Sequence, residues 1–482
     1  MDESNLPKSI GASIMILPFH IVNHESNRNC FADPKARPDI VMDYKYLTPF
    51  IEKLNTFSFN DKGLLKRDLY YDFITAYFDN AKLGSKQSFL QLYAFKLDAL
   101  KNHENSLVYN KNIIYQFINY NTKFKISAIN VIVNPKALLG YFCFTFEYQY
   151  TLDFNNLLEQ LSQIPFFRYY KDGNTQNNKN KAIEKYALKI FDEKKIETGD
   201  NDIFTIAQLI KNYFYELLPH IYFPNDRPVL LHLLSDDRIQ LKDRDNLYLN
   251  CFKTLRIRPN ETVVDTIITE ELKQSVLMPE QNICLFTLNE GAIVIDLVRD
   301  KNGKLKDHPT LINSYFVAFI LALNQREVML KVNQLIAIED NNGEKLEVLY
   351  DWIHQVHIQQ FMYTISSNNE IESFFEQLML RFKIKVLLED NKESISDIYS
   401  IINTRKEKIE VEQEEKRDNL INLFLGIVGC LGVFSFVKDS IYFLQDKEVN
   451  TLFKFIPYLA FSICSILLVH FIYSWPFKKK GK

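Results

Sequence analysis

Two clusters in the first half of the chain have residue types that can hold a small polar ligand. Asp236, Asp237 and Arg238 follow the apolar run Val229 to Leu234. Polar groups at the carboxyl end of a strand are where α/β sheets often hold ligands. Arg168, Tyr169, Tyr170 and Lys171 come directly after Phe166 and Phe167. They set aromatic faces beside cations, a chemistry suited to adenine plus phosphate. The plainer account of both clusters is a helix end or a surface turn. Asp351, His354 and His357 recur every three residues and share one helix face, which can begin a metal site. Without further ligands a solvated helix face explains them better, and no metal is expected. The chain contains no P-loop, GxGxxG, HExxH or GxSxG. No catalytic residue is nominated, and an enzyme is not expected.

Another group of candidates lies in apolar surroundings near the C-terminus. Asn419 directly precedes LINLFLGIVGCLGVFSFV, and Asn422, Gly426, Gly429, Gly432 and Ser435 lie within it. An amide in lipid faces protein or a hydrated cavity, so in a symmetric ring Asn422 would set one amide per subunit around the axis. An ordinary interhelical hydrogen bond is the alternative. The glycines recur every three residues and share a helix side only approximately. They let two spans pack closely, or they hinge or line a narrow pore. We take Asn419, Asn422, Gly426, Gly429 and Ser435 as pore-lining candidates. His470, further on, can titrate or simply satisfy an interface.

These residues need a membrane helix to position them, and residues 393–437 supply its pattern. The stretch has no proline and no glycine before Gly426. Its first part, to Asn419, is almost entirely polar and rich in helix formers. Leu420 to Val437 then carries no formal charge. At about 1.5 Å per residue that run covers roughly 27 Å, nearly the hydrocarbon thickness of a bilayer. A second apolar run spans Phe455 to Trp475. The expected plan is a soluble body, a helical stalk and a two-helix hairpin. Lys416 and Arg417 precede the first span, and Lys478, Lys479, Lys480 and Lys482 follow the second. Excess positive charge marks the cytoplasmic side, so both termini are expected in the cytoplasm and the loop outside. Ile395, Ile398, Ile402 and Ile409 keep a loose heptad spacing. Beyond Ile409 the seam turns polar, too wet for a two-stranded coiled coil. A wider ring of helices around a hydrated axis fits, and so does a stalk packed on another face.

Composition limits the soluble body. The 482 residues carry a net charge of −3, which gives no reason to expect nucleic-acid binding. Hydrophobic residues make up 47%, enough for a core. None of the six cysteines forms CxxC, and the pattern fits a reducing compartment rather than a disulfide framework. The N-terminus lacks the signature of a signal peptide.

In order, SIGASIMILP at 9–18 reads as a buried strand, and helical patterns such as SFLQLYAFKLDAL from Ser88 follow. KISAINVIVNP at 125–135 and GYFCFTFEYQYT at 140–151 read as paired strands, the second with period-2 alternation. Polar residues 171–202 read as a linker or loop. RPVLLHLLSDDR is a buried strand, and ICLFTLNEGAIVIDLV is the clearest hairpin. The expected organisation is an N-terminal α/β region at 1–170, the linker, a second α/β part at 203–310 and a helical and stalk region at 311–419. Spans at 420–437 and 455–475 then flank an outer loop at 438–454, with a basic tail at 476–482. The fold class is α+β or α/β, followed by the stalk and hairpin.

This arrangement resembles the CorA-like membrane proteins, best over residues 280–482. Tyr315-Phe-Val-Ala-Phe-Ile-Leu-Ala-Leu-Asn-Gln-Arg326 looks like the helix preceding their stalk. Magnesium-transporting members carry Gly-Met-Asn after the first span. Here that region reads FVKDSIYFLQDKEVN, and no methionine follows Met379. CorA-like proteins without this filter, with an enlarged cytoplasmic domain, resemble the effectors of type III CRISPR systems. The resemblance implies a homo-oligomer, a pentamer, in the bacterial inner membrane. It further implies gating by a nucleotide second messenger, a conjugate of S-adenosylmethionine and AMP, and an antiviral role through membrane disruption. A divalent-cation transporter with a diverged entrance and a membrane-anchored sensor or scaffold are the alternatives.

Overall fold

The computed structural model describes chiefly residues 11–22, 44–60, 90–95, 115–116, 123–149, 220–224, 228–236, 244–256, 274–280, 282–338, 349–354 and 362–445, with isolated positions elsewhere. It divides into two units, Met1–Ser396 and Asp397–Lys482.

The first unit is built on a mixed sheet. Its main path runs β11 (Val276–Glu280), β12 (Ile283–Leu288), β13 (Gly291–Asp296), β10 (Val229–Leu234), β1 (Gly11–Ile21), β6 (Leu139–Gln149), β5 (Lys123–Asn134), β3 (Gln91–Phe95) and β2 (Ser58–Asn60). Two short strands pair off this path, β4 (Tyr115–Gln116) on β5 and β9 (Ile221–Tyr222) on β1. A separate pair joins β7 (Arg168–Tyr169) to β8 (Phe204–Thr205). The central strands are apolar on both sides, as strands covered on both faces must be. All eleven residues of β1 are buried. Neighbours along the path are antiparallel except β10 and β13, which run parallel.

Both hairpins expected from the sequence form. Residues 123–134 pair with 139–149, and 283–288 pair with 291–296 around Asn289 and Glu290. The segment read as helical from Ser88 is instead strand at Gln91–Phe95. Leu92 and Tyr93, adjacent in sequence, are both buried, which suits a strand covered on both sides. Residues 171–202 lie outside the described residues. The strands before and after them nevertheless share one sheet, because β1 lies between β6 and β10.

Two cores flank the sheet. On one face, Met15, Leu17, Phe19, Phe142 and Phe144 meet helices α1 (Leu47–Phe57) and α2 (Arg244–Arg256), through Phe50, Leu54, Cys251 and Leu255. On the other, Ile14, Ile16, Tyr141, Leu231 and Val294 meet α3 (His308–Ile338) and α4 (Asn369–Arg381). At about 1.5 Å per residue, the 31 residues of α3 span roughly 46 Å. Its middle, Tyr315 to Leu323, is entirely buried. This apolar stretch is a core helix, as expected.

Helix α4 begins at an N-cap, Asn368, whose side chain accepts from the N–H groups of Glu370 and Ile371. It ends at Phe382, and Lys383 takes a left-handed φ of 53° before the next helix starts. That helix, α5, runs unbroken from Ile384 to Gln445, 62 residues. It starts nine residues before the expected Glu393. It also passes beyond Val437, so Lys438 to Gln445, read as loop, are helical.

The buried positions Ile384, Leu388, Asn391, Ile398 and Ile402 repeat at alternating intervals of about four and three, with Ile395 partly buried between them. Ile384 joins the core with Phe374 and Phe319. Asn391 Nδ2 donates to Met329, at 3.4 Å from its carbonyl oxygen and 2.9 Å from Sδ. The first turns of α5 are therefore packed within the first unit. Ile409 is exposed.

One helix among the described residues is long and apolar enough to cross a membrane, the part of α5 within Ile384–Tyr442, and almost none of its apolar window is buried. A second spanning helix is not seen among the described residues. Isolated positions between 455 and 466 are helical.

Candidate functional site

The two parallel strands bring their carboxyl ends to one edge of the sheet. Leu234 pairs with Ile295, so Ser235 and Asp296 come next, side by side. Side chains alternate along a strand, and Leu233 and Val294 both face α3, so Ser235 and Asp296 point to that face as well. On the neighbouring antiparallel strands, Ala12 pairs with both Leu233 and Glu147, which brings Glu147 to the same edge.

The chain after β13 returns to this edge through a tight loop. Asp300 Oδ1 accepts the N–H groups of Asn302 and Lys304, each at 2.8 Å. Gly303 takes a left-handed φ of 73°, which glycine adopts without strain. These bonds hold the exposed Asp300 carboxyl below its ordinary range, the Lys304 amide contributing most. Arg299 and Leu305 then bridge, and Lys306 comes back beneath Asp296.

Asp296 is the hub. Its side chain is fully buried, and Oδ2 accepts from Lys306 Nζ at 2.7 Å and from Tyr315 Oη at 3.1 Å. Oδ1 accepts the Val298 N–H at 3.0 Å. Glu370, in the first turn of α4, completes the group. Its Oε2 lies 3.5 Å from Lys306 Nζ and 3.4 Å from Tyr315 Oη. His308, at the start of α3, meets Glu147, with Nε2 3.0 Å from Oε1. Lys306, His308, Glu147 and Glu370 keep partial access to solvent, between 17% and 27%.

Burial by itself would lower the Lys306 pKa. The hydrogen bond and charge of Asp296, with Glu370 behind it, outweigh burial and raise it, so the ammonium stays charged. Burial, reinforced by the two carboxylates, drives the Tyr315 phenol far above its ordinary value. It remains a hydrogen-bond donor at any working pH. The edge thus offers carboxylate acceptors, suited to hydroxyl and amino groups, beside two side chains that can meet phosphoryl oxygens. Among the described residues no three His, Cys, Asp or Glu side chains are grouped to hold a metal ion.

Of the ligand candidates from sequence, Asp236 sits at this edge. It is buried, and its carbonyl accepts the Ile239 N–H at 3.1 Å. Asp237, Arg238, Tyr170 and Lys171 lie outside the described residues. Arg168 and Tyr169 form β7, in the separate strand pair rather than the main sheet. Asp351 and His354 share a helical turn in which His354 stacks on Tyr350, and His357 lies outside the described residues. The pore candidates all lie on α5. Asn419, Asn422, Gly429 and Ser435 are exposed, and Gly426 is partly so. A Cβ at Gly429 or Gly432 would meet nothing within 4 Å.

Asp296, Lys306, His308, Tyr315 and Glu370 were not singled out from the sequence. One signal for them was present. The rule that selected Asp236, a polar residue ending an apolar strand, applies equally to Asp296 after GAIVI. No protein-family model, curated protein or solved structure matches this chain, and its function has to be sought in its own residues.

Proposed function

We propose that the chain is one subunit of a homo-oligomeric membrane channel of CorA-like architecture, a pentamer, gated from the cytoplasm by a nucleotide second messenger. The proposed hairpin consists of the apolar part of α5, lining the pore, and a second span at 455–475, facing lipid. The ligand is a conjugate of the S-adenosylmethionine–AMP type. Opening dissipates ion gradients across the bacterial inner membrane, the antiviral action of a type III CRISPR effector.

The observation that carries this reading is α5 itself. The core helix of a soluble fold is covered by its neighbours, as α3 is. The apolar window of α5 is not, and Leu420, Phe424, Leu425, Leu431 and Phe436 are each at least 60% exposed. Leaving such side chains in water forgoes about 1.5–3 kcal/mol apiece, so lipid or other subunits must cover them. Directly before this window the helix is polar on all sides from Lys406 to Asn419 apart from Ile409 and Val411. That is the composition of a rod leaving a membrane into water. The sheet edge around Asp296 supports the ligand part, since its carboxylates suit ribose hydroxyls and its Lys306 and His308 suit phosphate.

Planar-bilayer recording of the purified oligomer, with and without the nucleotide conjugate, tests the proposal. Ligand-dependent conductance is the expected result. A well-assembled oligomer that stays silent with the conjugate overturns gating by it. Nucleotide-independent flux of divalent cations in liposomes would identify a transporter. A monomer or dimer in detergent would reduce the helix to an anchor.

A further inference from the structure

At the other end of the sheet, α3 crosses the turn between β5 and β6, and a lysine is buried there without a carboxylate. Lys331 is 1% exposed, and its Nζ donates to the carbonyls of Ala137 at 2.7 Å and Leu138 at 3.2 Å. Among the described residues no carboxylate pairs with it. Glu327, one turn earlier and also buried, lies 4.0 Å from Arg326 instead. An ammonium has three N–H groups, so one remains after the two carbonyls.

Two further buried groups here lack acceptors. Asn324, 1% exposed, accepts at Oδ1 from Asn134 Nδ2 at 3.0 Å and from Tyr141 Oη at 3.2 Å, but its Nδ2 has no partner. His20, 2% exposed, has no partner at Nδ1. Burial, then the charge of Lys331, keeps this imidazole neutral, well below its usual pKa. In the Nδ1–H tautomer it is a donor.

The three groups lie in one layer. β1 presents His20 on the side of Ile14 and Ile16, towards α3, next to Leu139 of β6. Tyr141, which reaches Asn324, is two residues along β6, about 7 Å. Lys331, which reaches the turn, is two helical turns from Asn324, about 10 Å. His20 therefore falls between the levels of Asn324 and Lys331. A water molecule can accept from these donors but brings no charge opposite the ammonium. A buried ammonium with no counter-charge is also strongly unfavourable.

We propose that His20, Asn324 and Lys331 bind a small monovalent anion, of halide size, between β1 and α3. The anion accepts the Asn324 Nδ2 and His20 Nδ1 protons and the remaining Lys331 N–H, and it supplies the charge that the chain does not.

Thermal unfolding of the full chain in detergent, in sodium chloride or bromide against sodium gluconate at constant ionic strength, tests this. The melting temperature is expected to rise by roughly 2 °C for each tenfold increase in halide beyond saturation, and not with gluconate. Lys331→Met removes the charge and should abolish the halide dependence. Asn324→Asp brings a carboxylate to the same place and should abolish it too, while the protein stays folded. Line broadening of the chloride nuclear resonance by the wild type, relieved by bromide and missing in both variants, is the direct readout. Equal melting in chloride and gluconate would overturn the assignment, as would a halide dependence that survives in Asn324→Asp.

Discussion

Replacing Lys306 by methionine strands a buried carboxylate. Asp296 has no solvent exposure, and its acceptor contacts are Lys306 at 2.7 Å, Tyr315 at 3.1 Å and the Val298 amide at 3.0 Å. Removing one partner of a fully buried pair costs about 3–5 kcal/mol. Lys306 is about one-quarter exposed, so solvent reaches the gap, and the expected loss falls to about 2–3 kcal/mol. Asp296→Asn keeps the shape and leaves Lys306 facing Glu370 at 3.5 Å, at a cost of about 1–2 kcal/mol. The double variant should lose less than the sum, with a coupling of about 1.5 kcal/mol. Chemical denaturation of the detergent-solubilised chain, followed by circular dichroism, measures all four corners of the cycle. The pKa of Lys306 is raised on folding, so its contribution is complete below the unfolded value of 10.5 and lost as pH rises through the higher folded value. The coupling should therefore be flat between pH 6 and 9. Additivity within about 0.5 kcal/mol would refute the idea that Asp296 depends on Lys306.

Three other outcomes follow from the packing. Burial lowers Lys331 from 10.5 to about 7, so in halide-free buffer its contribution is complete above pH 10.5 and lost as pH falls to about 7. The shift amounts to at most about 5 kcal/mol, and the alkaline gain in stability should be smaller in Lys331→Met than in the wild type. Gly140→Ala should cost about 1–3 kcal/mol in denaturation experiments, because its Cβ would overlap the ring of Phe19, itself packed 4.8 Å from Phe142. Lys383→Gly should raise the unfolding free energy by about 0.5–1 kcal/mol in the same denaturation experiment, since the left-handed φ of 53° strains a lysine and not a glycine.

Much of the architecture is legible without coordinates. The alternating Phe142, Phe144 and Phe146, and the two apolar runs around Asn289 and Glu290, mark hairpins because strand pairing between neighbours is a local matter. Residues 315–323 identify a core helix by being apolar all round and too short to span a bilayer. The unbroken helix-forming run from Glu393, free of proline and turning from charged to apolar at Leu420, identifies the long helix and its membrane-compatible window. Each of these signals lies within a few turns of chain.

What tertiary structure alone decides is which distant segments meet. Gln91–Phe95 has a helical composition, but pairing with β5 makes it a strand. Asp296, Lys306, Tyr315 and Glu370 are spread over 75 positions, and only the packing of α3 on the sheet, the loop built on Asp300 and the start of α4 at Asn368 bring them together. Lys331 reads in the sequence as an ordinary helix charge, four residues after Glu327. It becomes a buried cation because α3 lays it over the β5–β6 turn. A side chain's chemistry is local, but its solvation and its partners depend on contacts that no stretch of sequence contains.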